Sequence, residues 1–134
     1  MMEVALVFDK DGKTICFHEP MGRTGGAIPD SRNLWDILWE NRERLGGVAH
    51  THPWDGDAWY SHTDVTTFRA IEMGIGRDLM WPIATFTDIK TFVFMSYDEE
   101  HQGYGSLATC DAEAMGFPRK FILEGLTELR AKSR

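Results

Sequence analysis

"GGVAHTHPWDGDAWYSHTDVTTF", residues 46–68, is the stretch on which the reading of this chain turns. Val48 and Ala49 lead into His50-Thr51-His52, and Pro53 closes the run as a residue with no N–H to give a ladder. On a strand, residues two apart project from one face, so His50 and His52 point together. A loop rich in aromatic and acidic residues follows, from Trp54 to Tyr60. Ser61-His62-Thr63-Asp64 then opens a helical pattern carried by Val65, Phe68 and Ile71. Ser-x-x-Asp before an apolar run is a capping-box pattern. The segment therefore reads as strand, loop and capped helix.

Working outward, residues 2–8 and 13–19 are apolar and β-prone, and Asp11-Gly12 between them signals a hairpin turn. A Gly-rich loop leads to Asp30 or Ser31, either of which can cap a helix over 31–45. There Leu34, Ile37, Leu38 and Leu45 share a face beside Trp35 and Trp39, and Gly46-Gly47 is expected to end it. "GVAHTH" is the next strand. The helix from Ser61 is expected to run to about 74 and to break at Gly74 and Gly76. "LMWPIATF" (79–86) and "KTFVFMSY" (90–97) predict two more strands, "HQGYGS" (101–106) a loop, and Pro118 to Ala131 a last amphipathic helix. The order β-β-α-β-α-β-β-α predicts one α/β (α+β) domain over residues 1–134, with a mixed, mostly antiparallel sheet flanked by helices.

Composition narrows the function classes. A net charge of -7 argues against nonspecific nucleic-acid binding and against an anionic membrane surface. The first residues lack the basic and long apolar regions of a signal peptide, and no apolar run approaches a membrane span. Two cysteines, Cys16 and Cys110, lie far apart and form no Cys-x-x-Cys pattern. A reduced, cytoplasmic protein is the expectation.

The chemistry of the central stretch admits two readings. His-x-His on a strand presents two neutral imidazoles to one metal ion, which suits Zn²⁺. Asp64, in the first turn of the next helix, offers a third ligand at a place where the helix dipole favours a carboxylate. Two histidines and one aspartate leave a fourth position open, as in catalytic zinc sites. The plainer reading is a strand and a well-capped helix that happen to contain histidines. The two are compatible, since the cap can position the ligand. His62 reads either as a neighbour of the site or as a solvated first-turn residue. Trp54, Trp59 and Tyr60, with Asp55 and Asp57, read either as one wall of a cleft for an extended, basic peptide or as sheet-edge packing and turn formers. "DGD" does not extend into a calcium loop.

"HTHPWDGDAWYSHTD" resembles the JAMM signature of the JAB/MPN metalloprotease domain: His-x-His-Pro, a loop, then Ser-x-x-Asp. The surrounding order is similar, with a glutamate opening an early strand, a hairpin, a helix, the His-x-His strand and a following strand pair, over most of residues 2–97. The resemblance implies a three-layer, cytidine-deaminase-like fold. It also implies a zinc-dependent hydrolase cleaving a peptide or isopeptide bond, with a peptide or ubiquitin-like protein as substrate. His50, His52 and Asp64 would hold Zn²⁺, and Ser61 would donate to the oxyanion. A glutamate that is not a ligand would take a proton from the attacking water and pass it to the leaving amine.

Three departures accompany the resemblance. The loop between His52 and Ser61 is one residue longer than the usual spacing, and the family's helix before the early glutamate has no counterpart in residues 1–2. The third concerns the glutamate. Glu3 matches by order and Glu19 is its rival, since a hairpin centred on Asp11 would set Glu3 opposite Glu19 on one face, whereas a slip of one residue would part them. A third reading is that neither is the base. The alternative function is a catalytically silent scaffold or binding module of the same fold.

Overall fold

The computed structural model describes residues 4–18, 32–52, 54–94 and 107–110. Its first elements are the antiparallel strands β1 (Ala5–Asp9) and β2 (Thr14–His18). The turn between them is built by Asp9, whose Oδ1 accepts from Asp11 N–H at 2.9 Å and Lys13 N–H at 3.0 Å, while Gly12 takes a positive φ of 80°. Register departs from the symmetric hairpin expected. Phe8 faces Thr14, but after a bulge between Val7 and Phe8, Val7 faces Cys16 and Ala5 faces His18. That one-residue slip removes the ground on which Glu3 was set opposite Glu19. Both glutamates lie outside the described residues.

Helix α1 (Arg32–Glu40) is shorter than the expected 31–45. Asn41 stops it: its side-chain amide donates to Ile37 O at 2.8 Å, and its own carbonyl accepts from Arg44 and Leu45 N–H. Leu45 keeps the helical spacing but is the first residue of β3 (Leu45–Thr51), opposite Asp9. Gly46-Gly47 is thus strand rather than helix stop. Gly47 is needed for closeness, because a Cβ there would strike Met80 O and come within 2.7 Å of the Phe8 ring.

Helix α2 (His62–Ile75) runs through Gly74 and stops at Gly76, whose φ of 87° and N–H to Glu72 O at 2.8 Å form a left-handed C-cap. Gly74 does not break the helix. It is the point where the Trp35 ring of α1 lies against α2, with no room for a Cβ. β4 (Trp81–Ala84) and β5 (Ile89–Phe94) follow. β6 (Leu107–Cys110) is a strand that the sequence reading did not contain. The helix expected over 118–131 lies outside the described residues.

These strands form one mixed sheet in the order β2-β1-β3-β4-β5-β6, parallel only between β3 and β4. The parallel pair follows from the crossover through α2, which returns the chain to run beside β3. α1 and α2 place Leu34, Leu38, Phe68 and Ile71 in one core with Ala5, Val7, Val48, Trp81, Ile83 and Phe92 of the sheet. On the other face Leu6, Phe8, Ala49, Met80 and Ala84 form a second buried cluster. No helix among the described residues is long and apolar enough to cross a membrane.

Candidate metal centre

His50 is the penultimate residue of β3 and His52 follows its end, still tied to the sheet by its N–H to Ala84 O at 2.9 Å. Both face the helix side of the sheet, with Val48, and both are buried. The Phe68 ring of α2 meets His50 edge-on at 5.6 Å and stacks on Trp81 at 4.2 Å, so apolar contacts fix one wall of the imidazole.

Asp64 arrives from the opposite direction. The chain leaves β3, loops through 54–60, and re-enters α2 at the same end of the sheet. Ser61 is the N-cap: its Oγ accepts from Asp64 N–H at 3.1 Å, and Ser61 N–H donates to Asp64 Oδ2 at 2.8 Å. The reciprocal box holds the carboxylate between the imidazoles. His50 Nε2 lies 3.2 Å from Oδ1, His52 Nε2 lies 3.1 Å from Oδ2, and the two Nε2 atoms are 3.1 Å apart.

Those separations have a simple geometric meaning. Four ligands placed tetrahedrally at the usual Zn–N and Zn–O lengths stand about 3.3 Å from each other. The 3.1 Å between the two Nε2 atoms is close to one such edge, and the carboxylate meets the imidazoles through both oxygens, Oδ1 toward His50 and Oδ2 toward His52. The three side chains are buried, and their donor atoms lie within 4.8 Å of one another. His50, His52 and Asp64 are a group that can hold a metal ion. Burial on its own would raise the Asp64 pKa. Hydrogen bonds from both histidines, the charge of His50 and the Ser61 N–H outweigh that effect and hold the carboxyl well below its usual range.

The cap also leaves something over. Ser61 Oγ uses a lone pair toward Asp64 N–H, so its own O–H remains a donor at the edge of the site. His62, at the first position of α2, is exposed. Glu3 and Glu19 are outside the described residues, so the triad and Ser61 are the expected site residues the structure brings together.

Two buried titratable groups on the sheet and on α2 were not singled out from the sequence. His18 faces Ala5 across β1, and Ala5 faces His50, so both histidines occupy one cross-sheet row with only a methyl between them. Burial lowers the His18 pKa. Glu72 is buried in α2, and its Oε2 accepts from Trp81 Nε1–H at 2.6 Å. The signal for Glu72 was its place four residues after Phe68, on the inward face of the helix. No protein-family model matches the chain, and no curated protein matches it.

Proposed function

We propose that the chain is a zinc-dependent hydrolase of the JAMM type, with a three-layer cytidine-deaminase-like fold, that cleaves a peptide or isopeptide bond. The substrate in this reading is a peptide or a ubiquitin-like protein. The observation that carries it is the convergence of His50 Nε2, His52 Nε2 and the Asp64 carboxylate within 4.8 Å, in a buried setting braced by a capping box. Two imidazoles and one carboxylate fit zinc and leave room for one further ligand.

Bound zinc would supply Lewis acidity, polarising the scissile carbonyl and acidifying water at that position. The chain's own residues do the rest. His50 and His52 supply neutral nitrogen from a rigid strand, and Asp64 supplies charge from a fixed helix terminus. Ser61 donates its O–H to the oxyanion that develops as the carbonyl is attacked.

Glu3 is the general base in this reading, and then the acid that protonates the leaving amine. What supports it is register. Ala5 faces His50, and Thr51 N–H donates to Val4 O at 3.1 Å, so Val4 stands beside the histidine end of β3. Glu3 is joined to Val4, one Cα step away. Glu19 follows His18, the last residue of β2, and β1 lies between β2 and β3.

The test is cleavage of fluorogenic peptide and isopeptide substrates by the zinc-loaded chain. Glu3→Gln is expected to lower the rate by about a hundredfold or more, and Glu19→Gln to leave it near wild type. Zinc bound without cleavage of any such substrate would make the chain a silent binding module instead.

A further inference from the structure

Loop 54–60 beside the triad has two tryptophan faces and two carboxylates that the fold itself does not use. Trp54 tilts over His52 with ring centroids 4.5 Å apart, yet remains 41% exposed. Trp59 stacks on Tyr60 and meets Phe92 edge-on, yet remains 50% exposed. Sheet-edge packing therefore explains Tyr60 and one side of Trp59, and leaves the other surfaces facing solvent.

The aspartates between them are not turn formers by their side chains. Asp55 and Asp57 are exposed, and among the described residues neither carboxylate accepts a local hydrogen bond or pairs with a cation. The turn is made by Gly56 instead, at φ 115°. Lys90, at the base of the same turn region, is already paired with Asp88.

The loop is also held in place before anything binds. Gly56 N–H donates to Thr87 Oγ1 at 2.9 Å, Ala58 N–H to Asp88 Oδ2 at 2.7 Å, Thr85 O–H to Gly56 O at 2.6 Å, and Phe86 N–H to Trp54 O at 3.1 Å. A pinned loop loses little freedom when a ligand arrives. Exposed indole faces attract ammonium and guanidinium groups, and nearby carboxylates add to that attraction.

We propose that loop 54–60 is a subsite for a lysine or arginine side chain of an extended peptide, so that the substrate is a basic segment whose cation is drawn to the exposed Trp54 and Trp59 indoles and to the Asp55 and Asp57 carboxylates. The identification of that peptide as a substrate rests on the hydrolase reading, whereas its binding does not.

The experiment is a binding titration of the full chain with short blocked peptides that differ at one position, Lys, Ala or Glu, followed by tryptophan fluorescence. The Lys peptide is expected to bind about tenfold more tightly than the Glu peptide, with the difference shrinking in high salt. In the Asp55→Asn/Asp57→Asn double variant, whose exposed amides keep the shape of the loop, the preference is expected to fall to about twofold or less. Equal affinity for Lys and Glu peptides in the wild type, or a preference kept by the double variant, would overturn the proposal. Selective binding without cleavage would leave the subsite standing and remove the hydrolase reading. Cleavage without charge preference would do the reverse.

Discussion

Ser61 and Asp64 complete each other: the side chain of each accepts the backbone N–H of the other, at 3.1 and 2.8 Å. One motif thus starts α2 and aims the carboxylate at His50 and His52. A metal ion held by these three side chains would tie its affinity to the stability of the cap.

The first expected outcome concerns that coupling. Ser61→Ala removes the N-cap acceptor and should lower unfolding free energy by about 1 kcal/mol. It should also weaken zinc binding, because Asp64 loses the contact that orients its backbone. Ser61→Thr, which can still cap, should restore both. Denaturant unfolding and zinc titration on the three proteins check this, and a Ser61→Ala protein with lowered stability but wild-type zinc affinity would show that the cap does not position the ligand.

Removing the carboxylate charge separates cap from ligand. Asp64→Asn keeps an oxygen that can accept from Ser61 N–H but offers zinc a neutral donor. Wild-type protein at zinc a hundredfold above its dissociation constant should gain about 2.7 kcal/mol of stability. Asp64→Asn should lose most of that gain, and its zinc-free stability at neutral pH should fall below wild type, because the carboxylate that the histidines favour is gone. Thermal unfolding with and without zinc measures it.

Glu72 predicts a pH dependence away from the metal. Burial pushes its carboxyl up to about 7, Asp78 adds to the rise, and the Trp81 N–H opposes it. Unfolded, the group ionises near 4.5. The raised folded value means that its contribution is fully present below pH 4.5 and is lost as pH rises to about 7, by about 3 kcal/mol in all. Glu72→Gln keeps an acceptor for Trp81 Nε1 and cannot ionise. Its stability should match wild type near pH 4.5 and exceed it at pH 8. Parallel profiles for the two proteins would contradict the assignment.

Gly74 should resist substitution although it lies inside a helix. Alanine favours a helix over glycine by about 1 kcal/mol. Its Cβ would meet the Trp35 ring, and overpacking of that kind costs about 1–3 kcal/mol. Gly74→Ala is expected to destabilise, and the combination with Trp35→Leu to recover much of the loss. Unfolding of the single and double variants checks this through their non-additivity.

Much of the site was legible because it depends on local rules. The period of two along β3 put His50 and His52 on one face, and Ser-x-x-Asp placed Asp64 in the first turn of α2. What escaped was set by tertiary contact. The bulge at Val7 and Phe8 arises in a strand that pairs on both sides, with β2 and with β3, and a hairpin read alone contains no sign of it. Leu45 carries helical spacing but is recruited by Asp9 into a sheet. Gly47 and Gly74 look like breakers in sequence, and are places where Met80 and Trp35 come too close for a side chain. β6 is four residues long, too short for alternation to announce it.

The most direct test of the central claim is a zinc titration of the purified chain against a competing chelator, with His50→Ala beside it. The proposed zinc site predicts about one tightly held zinc per wild-type chain, with affinity lost in His50→Ala while the fold, followed by circular dichroism, is retained. A wild-type chain that takes up no zinc, or a His50→Ala protein that binds it as tightly, would contradict a metal centre built from His50, His52 and Asp64.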